Sequence, residues 1–160
     1  MDSDQLEGLR QRIHGLAPQV PVAETIHRTL GFQTLEEWSQ NGPIHSMEDY
    51  DQTPLLAISG IGQPGSFLSN LKGYGFTVSD IMSFGDHHDY TEDDVVKIWQ
   101  RCFKTGIKGI ITTEKDAVKL SQVRAIRDLE IPVYVLVIGI EFTAGEDEFT
   151  SYVLRVAKGS

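Results

Sequence analysis

Pro54-Leu55-Leu56-Ala57-Ile58-Ser59-Gly60-Ile61-Gly62-Gln63-Pro64-Gly65 is the stretch whose reading decides the fold. An unbroken apolar run stops at a glycine-rich turn, and residues 66–72 then read as a helix. Apolar residues without polar alternation mark a strand covered on both faces, the condition of a parallel sheet between helical layers.

The same order of strand, loop and helix recurs downstream. Residues 76–84 roughly alternate apolar and polar side chains and are rich in β-branched types, as a strand requires. Thr91 is a good N-cap, Glu92, Asp93 and Asp94 fill a first turn, and Val95, Ile98, Trp99, Cys102 and Phe103 share a face before Gly106 ends the helix. Residues 109–112 form another apolar run, a helix opens at Thr113 or Glu114, residues 133–138 read as a strand, and residues 148–158 as a final helix. This alternation predicts an α/β fold, a three-layer Rossmann-like sandwich around a mainly parallel sheet.

Upstream the pattern is weaker. Residues 3–16 carry Leu6, Leu9, Ile13 and Leu16 on one stripe with Pro18 beyond, an amphipathic helix. Residues 20–26 read as a short extended segment suited to a linker, and residues 31–53 as a polar connection with a short helix around Leu35 and Trp38. The expected division is a leading helix and linker over 1–30, a connecting loop over 31–53 and an α/β domain over 54–160. With 160 residues, 40% of them hydrophobic, one core is expected rather than two. The single cysteine, Cys102, lies on an apolar helix face, so it reads as a buried thiol in a reducing compartment. No apolar run approaches the ~20 residues that cross a bilayer, and the acidic start is unlike a signal peptide, so a soluble, unexported piece is expected. A net charge of -9 argues against nucleic acid as a partner and against this piece alone holding to an anionic membrane.

In open parallel sheets, loops leaving the carboxyl ends of strands gather on one edge, where ligands bind. The candidate edge here carries residues 60–65, 86–90, 112–116 and 139–141. Gly60, Gly62 and Gly65 satisfy G-x-G-x-x-G between strand and helix, the setting of a dinucleotide loop. Two features favour a plain tight turn instead. Asp80 falls inside the next strand rather than at its end, and Pro64 brings no N–H where a pyrophosphate wants donors.

Asp86-His87-His88-Asp89 supports three readings. On an extended backbone the histidines point apart, so a metal would see Asp86 with His88, or His87 with Asp89, and need ligands from elsewhere. A histidine held by a carboxylate suits general acid/base work. The cluster also suits pinning the loop. The three carboxylates that open the next helix repel phosphate, so an anionic substrate has to be met elsewhere. In Thr112-Thr113-Glu114-Lys115-Asp116-Ala117-Val118-Lys119-Leu120, Thr113 and Asp116 fit a capping arrangement. Lys115 and Lys119 share a helix face, either as solvated charges or with one lysine turned to the edge to meet a phosphate.

The series Ile58-Ser59-Gly60-Ile61-Gly62-Gln63-Pro64, Phe84-Gly85-Asp86-His87-His88-Asp89-Tyr90 and Thr112-Thr113-Glu114-Lys115-Asp116 resembles the C-terminal half of the tetraacyldisaccharide 4'-kinase (lipid A 4'-kinase) family. The resemblance implies an enzyme using ATP and Mg to phosphorylate the 4'-hydroxyl of a disaccharide lipid A precursor in lipid A biosynthesis, peripheral to the cytoplasmic face of the inner membrane. It implies an N-terminal P-loop lobe as partner, whose Asp is assisted by a histidine that falls in His87-His88, with His87 favoured and Asp86 beside it. Lys115, Thr113, Glu114, Gly60 and Gly62 are the substrate- or phosphate-binding candidates, with no metal ligand among them. The chain departs from the family in having no G-x-x-x-x-G-K-[ST]. It is therefore expected to be inactive alone and to bind no ATP or Mg by itself. Two other classes stay open: a nucleotide- or dinucleotide-binding module through Gly60 to Gly65, and an Asp-His-His metal phosphoesterase.

Overall fold

The structure, a computed structural model, describes residues 3–159. Met1 and Asp2 of the acidic start and Ser160 of the expected α/β segment lie outside the described residues. Residues 29–139 form one unit, and residues up to 28 together with those from 140 form a second.

In the larger unit the expected alternation is present: β2 (Leu55–Ser59), α3 (Pro64–Gly73), β3 (Val78–Ser83), α4 (Glu92–Thr105), β4 (Gly109–Thr113), α5 (Glu114–Leu120), α6 (Arg124–Arg127) and the start of β5 (Val133–Ala144). With β1 (Glu24–Thr34) they build a five-stranded sheet in the order β1-β5-β4-β2-β3, in which β2–β3, β2–β4 and β4–β5 run parallel. Residues 20–26, expected to be a short linker, run on into the 11-residue β1, so the expected connecting loop starts inside a strand. The short helix expected in that loop is α2 (Leu35–Ser39), closed by a Thr34–Glu37 capping box.

The pleat sends alternate residues of β2 to opposite faces, and two cores result. Leu56 and Ile58 join Ile110, Val133 and Val135 under α4, α5 and α6, with Val95, Ile98, Cys102, Leu120 and Ile126 filling the layer. Leu55 and Ala57 join Ile111 and Leu136 under α3, with Phe67, Leu71, Phe32 and Tyr50. Full burial of a side chain such as Ile98 stabilises by about 1.5–3 kcal/mol, so these two layers hold the sheet edge in place. The α4 helix starts on a Thr91–Asp94 capping box and stops at Gly106, whose φ of 68° is left-handed and free of strain for glycine. Trp99 and Phe103 correct the expected apolar face: both are exposed and stack on each other at 5.4 Å.

The second unit holds α1 (Ser3–Leu16), the first residues of β1, the end of β5 and α7 (Glu146–Ala157). Arg10 of α1 pairs with Glu7 and Glu24, and Arg28 with Glu141. Residues 139–141 were expected to be an edge loop, but β5 passes straight through them to Ala144.

Candidate functional site

The order of the central strands places a topological switch at β2. The chain leaves β2 for β3 on one side and returns through α4 to β4 on the other, so the loops after β2 and β4 diverge from neighbouring strand ends. One carboxylate ties them together. Asp116 is buried, accepts the Gly60 N–H at 3.0 Å and the Tyr90 hydroxyl at 3.1 Å through Oδ1, and accepts the Thr113 hydroxyl at 2.7 Å through Oδ2. Burial and the nearby Asp116 charge push the Tyr90 phenol far up, which keeps it a donor. A β-carbon at Gly60 would stand 3.0 Å from Asp116 Oδ1 and 3.2 Å from the Gly85 carbonyl, so close approach inside the protein accounts for that glycine. Gly62 borders Asp86 instead, at 3.6 Å from such a β-carbon to Oδ2.

The two histidines behave differently. His88 stacks on Phe84 at 4.7 Å, meets Tyr90 edge-on, and places Nε2 at 2.9 Å from Asp94 Oδ2. Burial opposes the charge of Asp94, but hydrogen bonds from His88, Thr91 and Lys97 outweigh it and hold the carboxyl well below the usual carboxylate range. His87 takes a left-handed φ of 59° and keeps 74% of its side chain exposed, with Nε2 3.7 Å from Asp86 Oδ2. That turn overturns the expected pairing. The backbone is not extended here, because the His87 N–H reaches the Gly60 carbonyl and the His88 N–H that of Gly85, so Asp86 meets its neighbour His87 and not His88.

Lys115 Nζ donates to Asp86 Oδ1 at 3.0 Å, and this ammonium holds the Asp86 carboxyl below its ordinary range. Lys119, the alternative phosphate lysine, is committed to the loop itself: it donates to the carbonyls of His87 at 2.6 Å and His88 at 2.9 Å and pairs with Asp89 at 2.8 Å. Glu114 is committed too, accepting the Ile138 N–H at 3.0 Å and the Trp38 indole N–H at 3.4 Å. Of the residues expected at the site, Asp86, His87, Lys115 and Gly62 therefore gather on one exposed rim. Gly60 and Thr113 serve the buried Asp116 hub, His88 is turned into packing, and Glu114 faces Trp38. Sequence reasoning missed the Trp38–Glu114 pairing, which links positions 76 residues apart with no local signal.

A rim of this kind offers an exposed imidazole with a carboxylate oxygen 3.7 Å away and a cation on the carboxylate's other oxygen. It can move a proton at a substrate hydroxyl or balance charge there. Among the described residues, no group of three His, Cys, Asp or Glu side chains gathers in a way that would hold a metal.

The family model for tetraacyldisaccharide-1-P 4'-kinase matches residues 12–158. A tetraacyldisaccharide 4'-kinase of Desulfatibacillum aliphaticivorans is 32% identical over 146 residues, 86% of this chain and 38% of its own length. Another, of Halothermothrix orenii, is 39% identical over 105 residues, 62% of this chain and 27% of its own. The chain thus spans well under half the length of the relatives it matches. A solved structure of LpxK from Aquifex aeolicus, described as an "apo" form in complex with ATP, superposes at TM-score 0.55 over 84% of this chain and 36% of that one. At 20% identity that likeness concerns the fold.

Proposed function

The chain belongs to the tetraacyldisaccharide-1-P 4'-kinase family, and from that premise we propose that it serves as the C-terminal lobe of a lipid A 4'-kinase and lends His87 to phosphoryl transfer. The complete enzyme would take ATP and Mg on an N-terminal P-loop lobe and phosphorylate the 4'-hydroxyl of a tetraacyldisaccharide 1-phosphate at the cytoplasmic face of the inner membrane. No helix among the described residues is long and apolar enough to cross a membrane, which suits peripheral attachment through the complete enzyme.

The observation that carries this reading is the contrast between the histidines. His88 is locked by Asp94 and Phe84, while His87 projects from the rim beside the Asp86–Lys115 pair. The residues present do not fit ATP or Mg on their own. Mg wants several oxygens in near-octahedral array, and here Asp86 is paired with Lys115 while Asp116 is saturated by Gly60, Tyr90 and Thr113. The Gly60 N–H is likewise spent inside the protein, which weakens the nucleotide-module alternative. The role left for this lobe is at the acceptor: His87, beside Asp86, assists removal of the hydroxyl proton, and Lys115 offsets negative charge at the rim.

The test is a chimera in which this chain replaces the matched segment of the Desulfatibacillum aliphaticivorans kinase. It should phosphorylate the disaccharide acceptor, and the 160-residue chain alone should not. His87→Ala should lower kcat by about 10²-fold or more with little change in KM. A folded chimera without turnover, or a His87→Ala variant with full kcat, removes the proposal.

A further inference from the structure

A pocket of about 540 Å³ is lined by Gln33, Trp38, Ser39, Asn41, Ile44 and Glu114. Trp38 packs against the core on one side and lines this pocket on the other. Its indole is held in place: Nε1 donates to Glu114 Oε1 at 3.4 Å, and Glu114 is itself fixed by the Ile138 N–H at 3.0 Å. Around this platform the lining is polar. Gln33 is 5% exposed and commits its amide nitrogen to the Gly42 carbonyl at 2.7 Å, which leaves its oxygen as an acceptor. Asn41 is exposed and stands in a left-handed turn at φ 53°.

We propose that this pocket is the sugar subsite of the acceptor, seating a pyranose ring with its apolar face on Trp38 and its hydroxyls on Gln33, Asn41 and the carboxylate lone pairs of Glu114 that Trp38 and Ile138 leave open. The inference rests on the kinase reading above and names where that substrate's carbohydrate sits. Three observations select a sugar over a nucleotide. The surface is aromatic on one side only, with Ile44 the single other apolar lining residue, whereas a base is held best between two apolar faces. The acceptor groups, a carboxylate and an amide oxygen, ask for hydroxyl or amide N–H donors. The Glu114 carboxylate repels phosphate. Position supports it too. Glu114 and Lys115 are consecutive residues, with Cα atoms about 3.8 Å apart, and Lys115 holds Asp86 beside His87. Glu114, which borders the pocket, thus adjoins in sequence the lysine that holds the rim carboxylate.

The experiment is calorimetric titration of the 160-residue chain with a lipid-free pyranose disaccharide and, separately, with adenosine. The disaccharide should bind weakly but saturably, about tenfold more weakly in Trp38→Ala, and within about threefold of the parent in Trp38→Phe, which keeps both the core contact and an aromatic face. Asn41→Gly, which removes the side chain and suits the left-handed turn, should also weaken it. No saturation into the tens-of-millimolar range overturns the inference, as does adenosine binding that is lost in Trp38→Ala. In the active chimera, Asn41→Gly should raise KM for the acceptor and leave kcat nearly intact, while Trp38→Phe should keep KM within about threefold of the parent. A chimera that turns over with unchanged KM in Asn41→Gly sinks this inference alone. Saturable disaccharide binding by a chain whose chimera is inactive sinks the kinase reading alone.

Discussion

Replacing Asp116 by alanine should be the most damaging single change at the site, although Asp116 is buried beneath the rim loops. The carboxylate accepts three hydrogen bonds, from the Gly60 N–H, the Tyr90 hydroxyl and the Thr113 hydroxyl, and all four groups are buried. Each buried donor left without an acceptor costs about 1–3 kcal/mol. The Thr113 hydroxyl can rotate, and neighbouring losses share relaxation, so the total is about 4 kcal/mol rather than the full sum. For a protein of this size one kcal/mol moves Tm by about 2–4 °C, which puts Asp116→Ala about 8–16 °C below the parent. Asp116→Asn keeps the oxygen that serves Gly60 and Tyr90 and disturbs Thr113 alone, so it should cost about 1 kcal/mol. Calorimetry on the parent and both variants decides it. An alanine variant within about 3 °C of the parent, or an asparagine variant as damaged as the alanine one, would refute the claim that acceptor count at this hub holds the two loops together.

Four further outcomes follow from the geometry. His87 has a left-handed backbone, which costs a non-glycine residue about 1 kcal/mol or more, so His87→Gly should be more stable than His87→Ala by about that amount in urea melts; equal stability would mean the turn stores no strain. Lys119→Met removes the ammonium that binds two loop carbonyls and Asp89, and amide exchange at residues 86–89 should accelerate while exchange in β2 stays slow. The His45 hydrogen bond, with help from Thr34, lowers the Glu37 carboxyl to about 2. Its stabilisation is therefore complete above the unfolded value near ~4.3 and disappears as pH falls toward about 2, so Glu37→Gln should flatten that stretch of the Tm–pH curve. Burial raises the Cys102 thiol to about 11, and a disulfide reagent at neutral pH should label it only on unfolding; rapid native labelling would contradict its burial under α4.

The central strands and their helices were readable because burial on both faces leaves an unmixed apolar signal in β2 and β4, and because α4 carries both a capping box and a terminal glycine. β1 was not readable for the opposite reason. Only residues 31–33 are buried and they are consecutive, so no period marks it beyond residue 26. α6, at four residues, is too short to show a period at all. At the site, sequence placed Asp86, His87 and Lys115 on one edge but misjudged which groups meet. The pairings assumed an extended loop, and the left-handed turn at His87 is set by bonds to Gly60 and Gly85 that belong to tertiary structure. Lys119 and Glu114 looked available for the same reason: their partners, backbone groups of His87, His88 and Ile138, carry no sequence label.

The claim on which the functional account turns is that the exposed imidazole of His87 works at the acceptor hydroxyl while His88 only holds the loop. Chemical rescue tests it most directly. In the chimeric kinase, free imidazole should restore turnover to His87→Gly in a saturable manner, because the vacated rim is open, and should do nothing for His88→Ala. Rescue of His88→Ala but not of His87→Gly would contradict the account.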